Sequence, residues 1–137
     1  MILDLDKFKP ANDLHGHATG DKLLKVVADR LMKCAREVDT VARLGGDEFA
    51  IVFTNIEDDA NIVTIADRII ESIQQLIDIE GNIIQIGTSI GISFFPGDAD
   101  SPVELIRMAD VALYQAKEDG RRVFRLYNPL MDEETKA

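Results

Sequence analysis

The spacing of hydrophobic residues divides the chain into alternating strands and helices. Residues 1–6 are rich in Ile and Leu and predict a buried strand that starts at the first residue. Residues 7–20 are interrupted by proline and glycine and predict a loop with one short helical turn. From Thr19 to about residue 36, apolar residues recur with the period of an amphipathic helix.

The next segments predict a β-hairpin followed by a second helix. Two strand-like stretches, residues 41–44 and 49–53, flank Gly45 and Gly46. Consecutive glycines tolerate the positive φ angles of a tight hairpin turn. An aspartate at 58 or 59 then caps a helix whose apolar residues keep a 3.6-residue period over 58–78.

The last third of the chain predicts a strand, a helix and a strand. Residues 83–95 alternate between large apolar residues on one face and small residues on the other, so another element should pack closely against the small face. Ser101 and Glu104 form a capping box with proline at the first helical position, and Gly120 ends this helix. Residues 123–127 predict a short final strand.

The resulting order, β-α-β-β-α-β-α-β, predicts an α+β domain. We expect a mainly antiparallel central sheet flanked by helices, as in a ferredoxin-like palm. Residues 1–127 would form this domain, and residues 128–137, which are acidic and lose their period, would form a tail or linker. A chain of 137 residues is long enough for one domain with a hydrophobic core.

Composition narrows the possible partners and the compartment. The chain has 25 acidic and 15 basic residues and a net charge of −10, which argues against a nucleic acid polymer as partner. Its single cysteine, Cys34, excludes a disulfide framework and favours a cytoplasmic location. No apolar run has the length of a membrane span, so we expect no membrane contact by this domain. A small phosphate ligand remains possible because a divalent metal offsets its charge.

Several carboxylates are expected to converge at one edge of the sheet. In a βαββ unit the first and third strands pair antiparallel, so Asp4 would face Asp47, with Asp6 and Glu48 close by. Oxygen ligands of this kind suit Mg²⁺ and phosphoryl transfer. The alternative is that these acids are solvated turn residues, and their spacing alone does not decide. The sequence gives poor support for an EF-hand, because the segment from Asp4 has no third oxygen ligand at loop position five and no glycine at position six.

A set of motifs along the chain favours the metal site over solvated turn residues. The chain resembles the GGDEF family of diguanylate cyclases in Asp4-Leu5-Asp6-Lys7-Phe8-Lys9, Asn12-Asp13, Gly16-His17, Gly20-Asp21, Arg43-Leu44-Gly45-Gly46-Asp47-Glu48-Phe49, Ser89-Ile90-Gly91-Ile92 and the segment from Ala109 to Arg121. The resemblance implies a bacterial signalling enzyme that condenses two GTP molecules into the second messenger cyclic di-GMP and two pyrophosphates. It also implies that two copies of the domain meet as a homodimer.

The resemblance assigns the chemistry to a few positions. Asp4, Asp47 and Glu48, with the main-chain carbonyl of Leu5, would bind Mg²⁺. Asp47 would also accept the proton of the GTP 3′-hydroxyl, with Glu48 assisting. How the two acids divide these roles stays open, because coordination to a metal itself acidifies the hydroxyl.

The resemblance also implies a set of substrate-binding residues. They are Asn12 and Asp21 for guanine, His17 in the same loop, Gly45 and Gly46 for close approach of the backbone, and Lys117 and Arg121 for the phosphates. Each has a simpler explanation when taken alone. Asp21, for example, would favourably meet the helix dipole if it lay in the first turn of its helix.

A second group of residues resembles the family's inhibitory site for its product. Arg36 and Asp39 form the RxxD pattern five residues before Gly45, and Arg68 lies on the polar face of the second predicted helix. Guanidinium and carboxylate groups suit phosphate and the edges of guanine. The simpler explanation is a surface ion pair at a helix end.

Two features bear on the parent protein. The family's usual N-terminal helix is not found before the first strand, so we expect a domain that lacks this helix. Residues Tyr127-Asn128-Pro129 resemble the connector to an EAL phosphodiesterase domain. The second hypothesis is therefore a GTP-binding module without catalysis that regulates an attached phosphodiesterase.

Overall fold

The computed structural model describes residues 1–136 and contains seven strands and five helices in that range. In chain order the elements are β1 (Ile2–Asp6), α1 (Phe8–His15), α2 (His17–Cys34), β2 (Thr40–Gly45), β3 (Glu48–Val52), α3 (Asp59–Ile73), β4 (Ile77–Ile79), β5 (Asn82–Ile84), β6 (Gly87–Ile92), α4 (Pro102–Glu118), β7 (Phe124–Leu126) and α5 (Pro129–Lys136). No helix in this range combines the length and apolar character that a membrane span requires.

The central sheet has five strands in the order β2-β3-β1-β6-β7. β1 lies between β3 and β6 and pairs antiparallel with both, while β7 pairs parallel with β6 after the crossover through α4. β4 and β5 form a separate hairpin. The predicted α+β fold with a mainly antiparallel sheet is confirmed.

The two faces of the sheet bury different sets of residues. One face carries the main core, where Leu3 and Leu5 of β1 and Ile90 of β6 belong to the same buried cluster as apolar residues of α2 and α3. α4 covers the other face so closely that a Cβ on Gly91 would lie 2.0 Å from the carbonyl oxygen of Ala109. The predicted close packing against the small face of this strand is confirmed.

The structure corrects the prediction of a loop over residues 7–20. α1 occupies residues 8–15, and α2 begins at His17 rather than at Thr19. Pro10 fits because it lies in the first turn of α1, where its missing N–H would have no helical partner. Gly16 separates the two helices with φ 92°, which glycine adopts readily.

The structure also corrects the single helix predicted over 58–78 and the single strand over 83–95. α3 ends at Ile73, and the chain then forms the β4–β5 hairpin before β6 begins at Gly87. Ile77 continues the apolar spacing of the helix, although it faces the core from β4 together with Ile79. Periodicity alone does not separate these two structures over so short a segment.

The predicted irregular tail is partly helical. α5 covers residues 129–136, and residue 137 lies outside the described residues. Asn128 accepts a hydrogen bond from the N–H of Leu130 at 2.9 Å, and Asp132 accepts one from Arg107 of α4 at 2.8 Å. An Asn-Pro pair is a helix-start signal, and it explains the helix. The domain boundary at residue 127 stays a prediction.

Arg30 fixes the point at which α3 ends. From α2, its guanidinium donates to the carbonyl oxygens of Ser72 at 2.9 Å, Gln75 at 3.0 Å and Leu76 at 3.3 Å. The last carbonyls of a helix have no partner within the helix itself. Arg30 therefore joins α2 to the end of α3 and to the start of the β4–β5 hairpin.

We expect Arg30→Met to lower the free energy of unfolding by about 2 kcal/mol, because the partly buried carbonyls of Ser72 and Ile73 lose their donor. Lys25→Met, at an exposed position of the same helix, should change it by less than about 0.5 kcal/mol. Urea unfolding followed by circular dichroism measures both values. Equal effects of the two substitutions would contradict this role of Arg30.

Candidate active site

The predicted antiparallel pairing of β1 with β3 is confirmed, but the register differs from the prediction by one residue, because Asp4 lies opposite Glu48 rather than Asp47. One residue further on, the N–H of Leu5 donates to the carbonyl oxygen of Asp47 at 3.1 Å. The strand pairing itself therefore brings Asp4, Asp47 and Glu48 to one edge of the sheet.

The acids at this edge disfavour one another's charge. Burial, followed by the nearby Asp4 charge, raises the pKa of Asp47 above its usual value. Burial raises the pKa of Glu48 as well, and the charges of Asp4 and Asp110 add to the effect. Asp110 of α4 has a raised pKa, again through burial first and Asp4 second.

Asp110 is a site residue that the sequence analysis did not single out. It precedes Lys117 by two helical turns, so both side chains lie on the face of α4 that meets β1. Lys117 donates a hydrogen bond to the Asp4 carboxylate. The seven-residue spacing of Asp110 and Lys117 is visible in the sequence. It indicates a shared site only when the face of α4 that covers the sheet is known.

The donor set at this edge fits Mg²⁺ better than a metal held by protein ligands alone. Among the side chains that the structure describes, those of residues 1–132, no three from His, Cys, Asp or Glu are grouped closely enough to enclose an ion. Mg²⁺ usually takes one or two carboxylates and keeps water or substrate phosphate as its other ligands. Burial is the main cause of the raised pKa values of Asp47 and Glu48, and the charge of Asp4 adds to it although Lys117 acts in the opposite direction.

The predicted guanine-binding residues lie where α1 meets α2. The side-chain amide nitrogen of Asn12 and Nδ1 of His17 are 3.2 Å apart. Asn12 also lies directly over Gly20, because a Cβ at Gly20 would be 1.8 Å from its Oδ1. Asp21 is exposed beside them. The first turn of α2 contains no acid, so the helix dipole does not explain Asp21.

The hairpin turn between β2 and β3 is open to solvent. Gly45 and Gly46 have φ angles of 150° and 50°, and no atom lies within 4 Å of an added Cβ at either position. Arg43 holds the turn from one side by donating from Nε to the Gly46 carbonyl oxygen at 3.0 Å. The turn therefore presents bare backbone next to Asp47, as the sequence predicts for close approach of a ligand.

The predicted phosphate-binding cations lie at the end of α4. Lys117 contacts Asp4, as described above, and Arg121 Nη1 lies 3.6 Å from the carboxylate of Asp6. Both cations therefore lie along β1, on the side where the carboxylates meet. Asp6 itself differs from the other acids, because its buried carboxylate accepts hydrogen bonds from Ser89.

The three residues of the predicted inhibitory site come together away from the carboxylates. Arg36 and Arg68 line a common cavity of about 410 Å³. Arg36 donates from Nη2 and Nε to Asp39 at 2.9 and 3.1 Å. Burial acts to raise the pKa of Asp39, but hydrogen bonds from Arg36 outweigh it and hold this pKa below its usual value.

Comparison with known proteins agrees with this geometry. The sequence matches the family described as "Diguanylate cyclase, GGDEF domain" over residues 1–123. The diguanylate cyclase TpbB of Pseudomonas aeruginosa is 41% identical over 140 residues, which cover 99% of this chain and 32% of TpbB. MucR of the same organism, named a bifunctional diguanylate cyclase/cyclic di-GMP phosphodiesterase, is 39% identical over 132 residues, which cover 96% of this chain and 19% of MucR.

Solved structures agree as well. The solved GGDEF domain of TpbB superposes on this structure with a TM-score of 0.95 at 39% sequence identity. The match covers 99% of this chain and 80% of the TpbB domain chain. The GGDEF domain of DgcB from Caulobacter crescentus, solved in complex with c-di-GMP, has a TM-score of 0.81 at 31% identity and covers 92% of this chain and 74% of that chain. The fold and the site define a palm-type nucleotide cyclase domain. This chain belongs to the GGDEF family, and it spans about a third or less of the length of TpbB and MucR.

The raised pKa of Asp47 leads to a prediction about stability. Because the native state binds the Asp47 proton more tightly than the unfolded state, stability is lost as pH rises through the native pKa. Asp47→Asn should therefore raise the melting temperature at pH 7 without metal. The gain should shrink as the pH falls toward the unfolded value of about 3.9.

Melting curves over this pH range, with and without Mg²⁺, test the prediction. Asp67→Asn, at an exposed acid of α3, is the matched control and should show no such trend. Added Mg²⁺ should stabilise the wild type more than Asp47→Asn. The same melting shift for both variants at every pH would contradict the prediction.

Proposed function

We propose that this chain is the catalytic domain of a diguanylate cyclase that condenses two GTP molecules into cyclic di-GMP and two pyrophosphates. The observation that carries the proposal is the convergence of Asp4, Asp47 and Glu48 beside the open turn of Gly45 and Gly46. Since GTP is made inside the cell, this function places the domain in the bacterial cytoplasm.

The residues present suit Mg²⁺ as cofactor. Asp4, Asp47 and Glu48, with the main-chain carbonyl of Leu5, are the proposed ligands. When bound, Mg²⁺ would offset the triphosphate charge and acidify the 3′-hydroxyl. Asp47, whose pKa is raised, would accept the hydroxyl proton. Glu48 would bind the same metal ion as Asp47 and would adjust the basicity of the Asp47 carboxylate.

The other residues bind and orient GTP. Asn12 and Asp21 would pair with the edge of guanine, the carboxylate accepting from its N1 and N2 protons. His17 would hold Asn12 in place, as their 3.2 Å contact suggests. Lys117 and Arg121 would bind the phosphates. At the turn of Gly45 and Gly46 a triphosphate would meet no Cβ.

The reaction requires two copies of the domain. The 3′-oxygen of each GTP attacks the α-phosphorus of the other, so that a new P–O bond forms and the α–β phosphoanhydride bond breaks. Pyrophosphate leaves with the bonding electron pair. Each domain holds one GTP, so a homodimer with facing sites supplies both nucleotides.

We also propose that Arg36, Asp39 and Arg68 form an inhibitory site for cyclic di-GMP. Support comes from their common location, since both arginines line one cavity and Asp39 orients Arg36. Guanidinium groups recognise phosphate and the guanine edge, and a carboxylate accepts from guanine N1 and N2. In this structure the oxygens of Asp39 accept from Arg36, so product binding would require them to exchange partners.

A regulatory module without catalysis is the second candidate. NbdA of Pseudomonas aeruginosa, named a cyclic di-GMP phosphodiesterase, is 37% identical over 121 residues, which cover 88% of this chain and 15% of NbdA. MucR joins both activities in one protein. In this alternative the domain binds GTP and controls an attached EAL domain.

Asp47→Asn should abolish formation of cyclic di-GMP, with a loss of at least about a hundredfold, because the proposed proton acceptor is lost. GTP binding should persist. The full-length parent protein is incubated with GTP and Mg²⁺, product is measured by chromatography, and Asp67→Asn is the control. A wild type that binds GTP but makes no product would support the regulatory module instead. Full activity of Asp47→Asn would remove Asp47 from the mechanism.

Arg36→Ala should raise the cyclic di-GMP concentration needed for half-inhibition by about tenfold or more, because the product loses a charged hydrogen-bond donor. Arg107→Ala is a matched control. Arg107 also pairs with an acid three residues away, and its side chain is 44% exposed, as is that of Arg36. Initial rates over a range of product concentrations give both values. Unchanged inhibition in Arg36→Ala would mean that the ion pair of Arg36 with Asp39 is a surface contact with no role in product binding.

A further inference from the structure

Asp6 is a buried carboxylate at the end of β1 that the proposed mechanism does not use. It is 2% exposed, and Ser89 beside it is fully buried. The Ser89 hydroxyl lies 2.9 Å from Asp6 Oδ1 and 3.0 Å from Oδ2, and the main-chain N–H of Arg122 donates to Oδ2 at 3.1 Å. A buried carboxylate is stable only when it is paired in this way.

The partners of Asp6 belong to a turn with an unusual backbone. Gly120, Arg121 and Arg122 have φ angles of 110°, 64° and 56°. Residues with a Cβ avoid the left-handed region and remain there only when their surroundings hold them. The N–H of Arg122 bonds to Asp6 and also lies 3.3 Å from the Ser89 hydroxyl, so these two side chains hold the turn.

The turn is also held from the side of β6. Side-chain atoms of Arg122 lie 3.0 Å from the position of a Cβ on Gly87, so the glycine leaves the space that Arg122 occupies. Gly87 is the partner of Asp6 in the pairing of β1 with β6. The turn therefore packs against a single point of the sheet, where Asp6, Gly87 and Ser89 meet.

We propose that Asp6 is a positioning residue for the triphosphate. Its carboxylate fixes the turn of residues 120–122 on β1 and, from 3.6 Å, orients the guanidinium of Arg121. The Arg121 side chain is 56% exposed, so it is accessible to a phosphate group in solution. The inference rests on the proposed function of the site, because it takes Arg121 to be a phosphate ligand.

The position of Asp6 along β1 supports this role. Asp4 and Asp6 lie on the same face of the strand, about 6.6 Å apart. They contact Lys117, in the last turn of α4, and Arg121, four residues later in the turn that follows. The two acids therefore set the spacing of the two cations, and only Asp4 is also a proposed metal ligand.

Asp6→Asn tests the inference in the full-length parent protein. The amide keeps an oxygen that can accept hydrogen bonds but loses the charge that faces Arg121. Asp98→Asn is the matched control, because Asp98 accepts a main-chain N–H from Phe94 at 2.8 Å beyond the other end of β6. Dissociation constants for GTP and for guanosine are measured with Mg²⁺ by competition against a fluorescent GTP analogue. Hydrogen exchange reports on residues 120–122.

Asp6→Asn should weaken GTP binding by about tenfold, leave guanosine binding unchanged and speed exchange at residues 120–122. Asp98→Asn should change none of these. Equal weakening of GTP and guanosine would mean a structural role only and would overturn the inference, as would unchanged GTP binding. A wild type that does not bind GTP would overturn the proposed function and this inference together.

Ser89→Ala keeps the test decisive if Asp6→Asn does not fold. It removes one hydroxyl that holds the turn but keeps the pair of Asp6 with Arg121. GTP binding should weaken by about threefold, less than in Asp6→Asn, and guanosine binding should again be unchanged. Parallel loss of both ligands, or no change in either, would overturn the inference from this variant alone.

Discussion

The match in register between β1 and α4 is the constraint on which the site depends. Two residues of a strand advance about 6.6 Å and four residues of a helix about 6 Å, so alternate residues of β1 meet every fourth residue of α4. The matched pairs are Ile2 with Leu113 and Asp4 with Lys117, and Asp6 then meets Arg121 in the turn that follows α4. The apolar contact of Ile2 with Leu113 thereby fixes where the ion pairs form further along β1. Gly91 allows α4 to approach the sheet closely, and the apolar contact and the ion pairs both require this approach.

This register also brings together several acids that a bound cation would stabilise. β1, β3 and α4 each bring acids to the same edge, and the chain carries a net charge of −10. Lys117 contacts Asp4, yet the pKa values of Asp47, Glu48 and Asp110 remain raised. Mg²⁺ at this edge would compete with Lys117 for Asp4. Lys117 would then be free to contact a phosphate, so metal and nucleotide would support each other's binding.

Much of this arrangement could be predicted from local sequence. The antiparallel pairing of Asp4 with the acids after Gly46, and the small face of β6, follow from strand order and alternation. The β4–β5 hairpin could not be predicted because Ile77, four residues after Ile73, continues the apolar spacing of α3. The roles of Asp6 and Arg30 depend on partners more than 40 residues away, such as Arg122 and Ser72. No periodic pattern reports such contacts, because each is fixed only when distant elements pack.

The openness of the site bears on the proposed homodimer. The two ends of the site differ in how far the chain itself covers them. The carboxylate of Asp6 is buried and accepts a hydrogen bond from Ser89. The turn at Gly45 and Gly46 is uncovered, because no atom lies within 4 Å of an added Cβ at either glycine. An open edge of this kind leaves water in contact with any single bound GTP. The proposed transfer of a phosphoryl group between two nucleotides requires that water be excluded from the α-phosphorus. A second copy with its own GTP, placed against this edge, would exclude the water and supply the attacking oxygen at the same time.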